Sequence, residues 1–330
     1  MTARASRAGT IAFALFAAAW LAGGATLAAL GKPLEGPLFL LLIFGLALPG
    51  VALLVCRGLP LPPLAPEDSG AGAPGARRAR EGWLLAALVG WVVLFLAAKG
   101  RLVAAFAPPG SDPRWIDTVE LLLKLAVFVA VPLAAYRFAL GRSPLLPKAL
   151  GLGWPPGPPS DARTRNRSWL AFVVLGAAMV AIQLLIGHGA RPFLDGSLAG
   201  RHWLVGLVLS FLWMSLEAGL VEETFFRILL QSRLAALTRS PAAGLFLAAL
   251  VFGLAHAPGL WLRGAAALEG MTEPPSLALA LAYSITTMGV AGLLFGVLWL
   301  RTRNWLLIVA LHGLIDALSN AVDWMGRWGW

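Results

Sequence analysis

Val221-Glu222-Glu223-Thr224-Phe225-Phe226-Arg227 sets two adjacent acids and a base inside an apolar run that extends from about residue 203 to 237. Ionisable side chains at bilayer depth are costly, and those that persist there are usually functional. In a water-soluble domain these groups would sit on a surface, but their flanks are too apolar for that. The bland alternative is a Glu223–Arg227 pair at i,i+4 that only neutralises itself.

The rest of the chain provides the setting. Of its 330 residues 59% are hydrophobic and only 13% charged, with a mean hydropathy of +0.79. A soluble domain is roughly half apolar and about a quarter charged. The expected fold class is therefore all-α, a polytopic transmembrane helical bundle. A membrane β-barrel would alternate in short segments, whereas the apolar runs here are long and continuous. The net charge of +10 follows the positive-inside pattern of membrane proteins better than it follows nucleic-acid binding. Cys56 is the single cysteine, so no intrachain disulfide forms. No zinc-type Cys/His spacing occurs.

Nine spans are read outward from the acid pair. Arg4 and Arg7 precede a run at 11–30, expected as a retained helix rather than a cleaved signal. A second span covers 37–55. Residues 57–82 form a Pro/Gly-rich linker whose basic end, Arg77, Arg78 and Arg80, is expected to be solvated. Spans at 83–98 and 115–140 follow, and Lys124 inside the latter is expected to pair with Glu120 at i−4 or to snorkel. Residues 141–168 are a second linker, closed by Arg163, Arg165 and Arg167. It divides a variable N-terminal region, 1–168, from a C-terminal core, 169–330.

That core starts with a fifth span at 169–186. His188 and His202 are expected at the membrane interface. The sixth span carries the acid pair, and the seventh, 242–257, is expected to end at Pro258-Gly259. The eighth, 276–300, holds Gly292 and Gly296, whose spacing suits close helix packing. The ninth covers 305–322, and Trp324, Trp328 and Trp330 read as an interface belt. Nine spans put the two termini on opposite sides, with Lys and Arg about twofold more abundant on the N-terminal, cytoplasmic side.

Four polar features stand within the last four spans: the acid pair, His256, His312 and Asp316. At 1.5 Å per residue, Glu222 lies about 26 Å from the turn at Arg239, and His256 about 23 Å from Pro241. His312 lies only about 14 Å from Arg303, with Asp316 one turn further on the same face. The depths converge only if the sixth and seventh helices reach further into the cytosol, with Arg233 there. A carboxylate beside imidazoles suits acid–base chemistry: it takes a proton from water while an imidazole holds that water or stabilises an oxyanion. Other intramembrane protease signatures are missing: His-Glu-x-x-His, Gly-x-Ser-Gly, Tyr-Asp and Gly-x-Gly-Asp.

Glu222-Glu223-x-x-x-Arg227, Phe252-Gly253-Leu254-Ala255-His256 and His312-x-x-x-Asp316 together resemble the three motifs of the CPBP family. This is the CAAX-protease and bacteriocin-processing group, also called Abi. The resemblance implies an all-helical intramembrane endopeptidase of the inner (plasma) membrane. Glu222 is then the general base on water, Glu223 and Arg227 shape the site, and His256 and His312 complete it. Ile228 replaces a glycine that often follows the arginine. Asp316 stands where prenyl-protein proteases of eukaryotes carry Asn, and it either orients His312 or binds the oxyanion in protonated form. The family is commonly called metalloproteases. Glu222, His256 and His312 suit Zn²⁺ with an open position, and a metal-free glutamate mechanism stands equally open. Prenylated CAAX proteins, other peptides and membrane proteins are all open as substrates. The expected partners are the lipid bilayer and such a substrate, with no nucleic acid. Two rival readings use the same residues: a proton-coupled transporter with a midplane relay, and a protease-like scaffold that does not cleave.

Overall fold

Inside a bilayer every backbone N–H and C=O has to be satisfied within the protein, and a helix does this within one segment. The computed structural model describes residues 3–59, 74–139, 162–187, 191–195, 202–263 and 274–329, and all its regular elements are helical. Among the described residues, nine helices are long and apolar enough to cross a membrane. They are α1 (Ala3–Ala29), α2 (Glu35–Val55), α3 (Pro74–Phe106), α4 (Pro113–Ala139), α5 (Ala162–Leu185), α6 (Trp203–Thr238), α7 (Pro241–Arg263), α8 (Leu277–Thr302) and α9 (Trp305–Trp328). The chain is thus the multi-pass helical bundle its composition predicts.

Local chemistry sets the ends. The Asn304 side chain accepts from Leu307 N at 3.1 Å to cap α9, and Ser276 caps α8 through Leu279 N at 3.2 Å. Arg239 and Arg303 close α6 and α8 in the left-handed conformation, at φ 55° and 48°, so each of these helices turns back at once into its successor.

Four sequence expectations need correction. Helix α3 begins at Pro74 and not near residue 83, so Arg78 and Arg80 ride on a helix rather than a loop. Helix α5 begins at Ala162, which takes Arg163, Arg165 and Arg167 out of the second linker. Basic side chains flanking an apolar run extend a helix beyond the membrane at little cost, because their heads stay solvated. Helix α7 continues through Pro258 to Arg263, as prolines do in membrane helices whose neighbours re-satisfy the freed backbone groups. Trp324 is buried against Met214 and Met325 rather than belted at an interface. His202 is exposed at the start of α6, in keeping with an interfacial place. His188 and Trp330 lie outside the described residues, as do 60–73 and 140–161 from the two linkers.

The core lies where α6 to α9 meet. Phe225, Phe226, Phe252, Phe295, Leu298 and Ile308 are among its fully buried members. Large apolar side chains such as Leu42, Leu94, Phe138 and Trp169 point outward instead, as a lipid-facing surface requires. Helix α1 packs on α7 and on the first half of α8, α2 packs on α8, and α5 packs on α9.

Small residues set the closest approaches. A Cβ on Gly219 of α6 would lie 2.5 Å from the Val309 carbonyl oxygen of α9, and one on Gly313 of α9 would lie 2.0 Å from Ser215 Oγ of α6. The two backbones therefore touch. A similar contact joins α7 to α8, where a Cβ on Gly253 would stand 2.9 Å from the Gly289 Cα. A Cβ on Gly292 would lie 3.2 Å from Ala249 Cα and one on Gly296 2.3 Å from Leu245 Cδ1, the packing role their spacing predicts.

These contacts yield a prediction. Gly313→Leu should lower the melting temperature and yield in detergent by an amount typical of core overpacking, roughly 1–3 kcal/mol or more. Gly326→Ala, on the same helix with open space at its Cβ, should melt like the parent. Equal melting of both variants would show that α6 and α9 do not touch at Gly313.

Candidate active site

The residues of the acid pair face different ways because successive helix positions differ by about 100°. Two π-helical stretches of α6, Ser215–Leu220 and Thr224–Gln231, bracket the pair. Such stretches recur at functional sites. Glu223 is fully buried; Glu222 keeps about a fifth of its side chain exposed.

Glu223 makes two contacts. Its Oε1 accepts a hydrogen bond from His312 Nδ1 at 2.7 Å. Its Oε2 lies 3.3 Å from Arg227 Nε, one turn along the helix. The Arg227 guanidinium is as buried as its partner, and it stacks over the Phe252 ring at 4.4 Å with Phe226 and Phe295 at 5.9 and 5.7 Å. Aromatic faces attract a desolvated cation in this geometry. The His312 ring lies on Phe295, centroids 4.8 Å apart and planes at 20°.

Glu222 turns to a wetter side. Its Oε2 stands 3.9 Å from His256 Nε2 and 3.8 Å from His312 Nε2. The other nitrogen of each ring is committed. His256 Nδ1 lies 2.8 Å from the Phe252 carbonyl oxygen, and since a carbonyl only accepts, Nδ1 carries the proton. His312 Nδ1 is held by Glu223. Both Nε2 atoms thus point toward the Glu222 carboxylate. Asp316 Oδ2 stands 3.5 Å from His312 Nε2.

All six residues singled out in the sequence meet here. The two roles left open for Asp316 stay open, while Glu223 makes the close hydrogen bond to His312 Nδ1. Asp316 stands on the opposite nitrogen, beside Glu222. The depth discrepancy resolves as well. Ser232 Oγ accepts from Trp299 Nε1 and from Arg303 Nη1, each at 2.9 Å, so the α8–α9 turn docks seven residues before Arg239, about 10 Å deeper than the α6–α7 turn. From that common level Glu222 is ten residues away and His312 nine, about 15 and 14 Å. Arg233 is not solvated; it is buried and paired with Glu81 of α3.

Glu222, His256 and Asp316 line a cavity of about 1030 Å³ between α3, α4, α6, α7 and α9. Its wall carries a chain of charges that sequence reasoning largely missed. Lys124 pairs with Glu120 at 3.1 Å, as its spacing predicts, and also with Glu217 of α6. Lys99 of α3 completes the chain at 2.6 Å from Glu120. Glu217 lies five residues before Glu222, a signal available in the sequence.

The set Glu222, His256 and His312 is chemically of the kind Zn²⁺ takes, and the committed Nδ1 atoms resemble the supporting contacts of zinc histidines. The spacing is wider than an ion needs. Tetrahedral ligands about 2.0 Å from zinc lie about 3.3 Å apart, half an ångström less than the separations here. Among the described residues no three His, Cys, Asp or Glu are grouped closely enough to hold an ion.

Residues 204–318 match a family model described as Type II CAAX prenyl endopeptidase Rce1-like. No curated protein and no solved structure matches the chain. The matched segment contains all six site residues.

The geometry predicts unequal effects at the acid pair. Glu223→Gln strands the Arg227 charge in a dry setting and should cost several kcal/mol, roughly 3–5, visible as lost yield or a lower melting temperature. Adding Arg227→Gln should restore part of that loss. Glu222→Gln should melt like the parent. Indistinguishable melting of Glu223→Gln and Glu222→Gln would argue that the pair contributes nothing to folding.

Proposed function

The chain belongs, through residues 204–318, to the CPBP or CAAX-protease family, and on that premise we propose that it is an intramembrane endopeptidase acting through water activated by Glu222. The observation that carries this reading is the carboxylate of Glu222 facing two imidazole Nε2 atoms at 3.8 and 3.9 Å on the wall of a large cavity. The core that does this chemistry is the region 169–330, with 1–168 as its variable N-terminal companion.

A water molecule between Glu222 and the two rings is within reach of hydrogen bonds to all three. Glu222 takes one proton as the water oxygen attacks the peptide carbonyl carbon, and later returns it to the leaving amine. His256, with Nδ1–H given to the Phe252 carbonyl, presents the Nε2 lone pair that orients the water. His312 in its charged form presents an Nε2–H to the carbonyl oxygen as that oxygen becomes an anion. The dry Glu223–Arg227 pair fixes the His312 ring so that little reorganisation is needed when charge develops. Asp316, beside the same Nε2, stabilises the charged ring. No step runs through a metal, because the spacing favours a water over an ion. Prenylated CAAX-type chains and other membrane-associated peptides are the substrate classes in view.

The test is cleavage of a panel of membrane-associated peptides by purified protein. Glu222→Gln should reduce kcat by roughly 10²–10⁴-fold, the usual worth of a general base, with its fold intact. His256→Ala should also cut kcat. Activity should survive treatment with a zinc chelator. Full activity in Glu222→Gln would remove Glu222 from the chemistry, and loss of activity on chelation, restored by zinc, would overturn the metal-free route.

A further inference from the structure

Two lysines of the N-terminal helices reach the cavity that Glu222 faces. Lys99 of α3 and Lys124 of α4 line it together with Glu120, Glu217, Glu222 and Asp316. Four of these groups form a chain of alternating sign. Lys99 lies 2.6 Å from Glu120, Glu120 lies 3.1 Å from Lys124, and Lys124 pairs with Glu217 of α6. Lys124 is the deeper of the two cations, with 13% of its side chain exposed against 24% for Lys99. A lone ammonium would be costly there, and two carboxylates hold it.

The backbone of α6 gives that contact its importance. Five positions apart on a regular α-helix, Glu217 and Glu222 would point about 140° apart. Glu217 lies within the π-helical stretch Ser215–Leu220, whose bonds run i→i+5, and this wider turn lets both side chains line the cavity. One helix thus presents two carboxylates to one space, and Asp316 adds a third from α9. Among the described residues the ion-pair partner of Glu217 is Lys124. Phe128, one turn after Lys124, packs on Phe225 and Phe226 at 5.8 and 6.2 Å. Helix α4 therefore grips α6 on both sides of Glu222, through Lys124 before it and Phe128 after it. Both gripping residues lie outside the family-matched segment 204–318.

We infer that Lys124 is a positioning residue for the Glu222 reaction, supplied by the N-terminal region. As counter-ion of Glu217 it holds the next acid on the cavity face of α6 against α4 and balances its charge. Without that cation a free carboxylate would share the cavity and oppose the negative charge that develops on the peptide oxygen. The catalytic consequence rests on the peptidase reading above; the charge balance between Lys124 and Glu217 beside position 222 does not.

The test has a chemical arm and a kinetic arm. In the full chain carrying Cys56→Ala and Glu222→Cys, the thiol is modified in detergent by a cationic and by an anionic methanethiosulfonate, and the ratio of the two rates is taken. Lys124→Met should raise the cationic-to-anionic ratio several-fold, and adding Glu217→Gln should return it to the starting value. Lys99→Met, the same loss of charge at the far end of the chain, should shift the ratio less. No shift in Lys124→Met, or an equal shift in Lys99→Met, overturns the inference. If Lys124→Met fails to fold, Glu217→Gln reads the same balance from the other side, because its lysine keeps Glu120. The ratio should then fall several-fold, and an unchanged ratio overturns the inference.

The kinetic arm keeps Glu222 and uses a peptide that the parent cleaves. Lys124→Met should lower kcat roughly tenfold, less than the 10²–10³ lost with a direct oxyanion donor, with KM little changed. Lys124→Arg, which keeps the cation, and Lys124→Met with Glu217→Gln, which removes both charges, should each recover most of the loss. A rise in KM at unchanged kcat would make Lys124 a substrate contact and overturn the positioning role. A double variant as slow as Lys124→Met would do the same, since the charge of Glu217 would not be the cause. The expected shift in thiol reactivity in a chain that cleaves no peptide upholds the charge balance and overturns the peptidase reading.

Discussion

The ion pair of Glu223 and Arg227 is the constraint from which the rest of the site follows. Two charges are removed from water completely, at a desolvation cost that attraction alone does not reliably repay. Three aromatic faces and one imidazole provide the remainder. Phe226 comes from the pair's own helix, Phe252 from α7, and Phe295 from α8, so the cation is a point on which three helices agree. His312 adds the fourth helix through the second carboxylate oxygen. One buried guanidinium–carboxylate unit thus fixes where α6 to α9 stand relative to each other. The wet carboxylate next door inherits that precision without carrying it.

In the proposed mechanism the two carboxylates divide two tasks that one group performs poorly. A catalytic base has to exchange protons with a substrate and with water, so it must be reachable. A structural acid must keep its partners permanently. Adjacent positions on a helix serve both needs, since a turn of about 100° puts one side chain against the core and its neighbour against the cavity.

Much of this was legible in the sequence because bilayer physics is restrictive. Long apolar runs declare helices, so nine spans could be read from hydropathy alone. Charged residues inside those runs point to a candidate site, because burying them is costly. Three things stayed hidden. The ends of α3, α5 and α7 were misplaced, since flanking arginines and a single proline do not stop a membrane helix. The depth of His312 could not be read from its own turn, because docking of that turn on Ser232 is a tertiary contact between residues 71 positions apart. The distant partner of His312 was out of reach for the same reason. Asp316 at i,i+4 is the local choice, whereas Glu223 lies 89 positions away and becomes a neighbour only when Gly219 and Gly313 let two helices touch.

The contacts at the two ends of the central part of α6 have a consequence for how this chain tolerates change in length. Gly219 is pinned against α9, and Ser232 is pinned by Trp299 and Arg303. Between them lie both acids and Arg227. Deleting or inserting one residue in this interval would shift one part by about 1.5 Å and rotate it by about 100° relative to the other. No loop within the interval is available to absorb that turn. Here the number of residues is itself part of the site, as fixed as the identity of either glutamate.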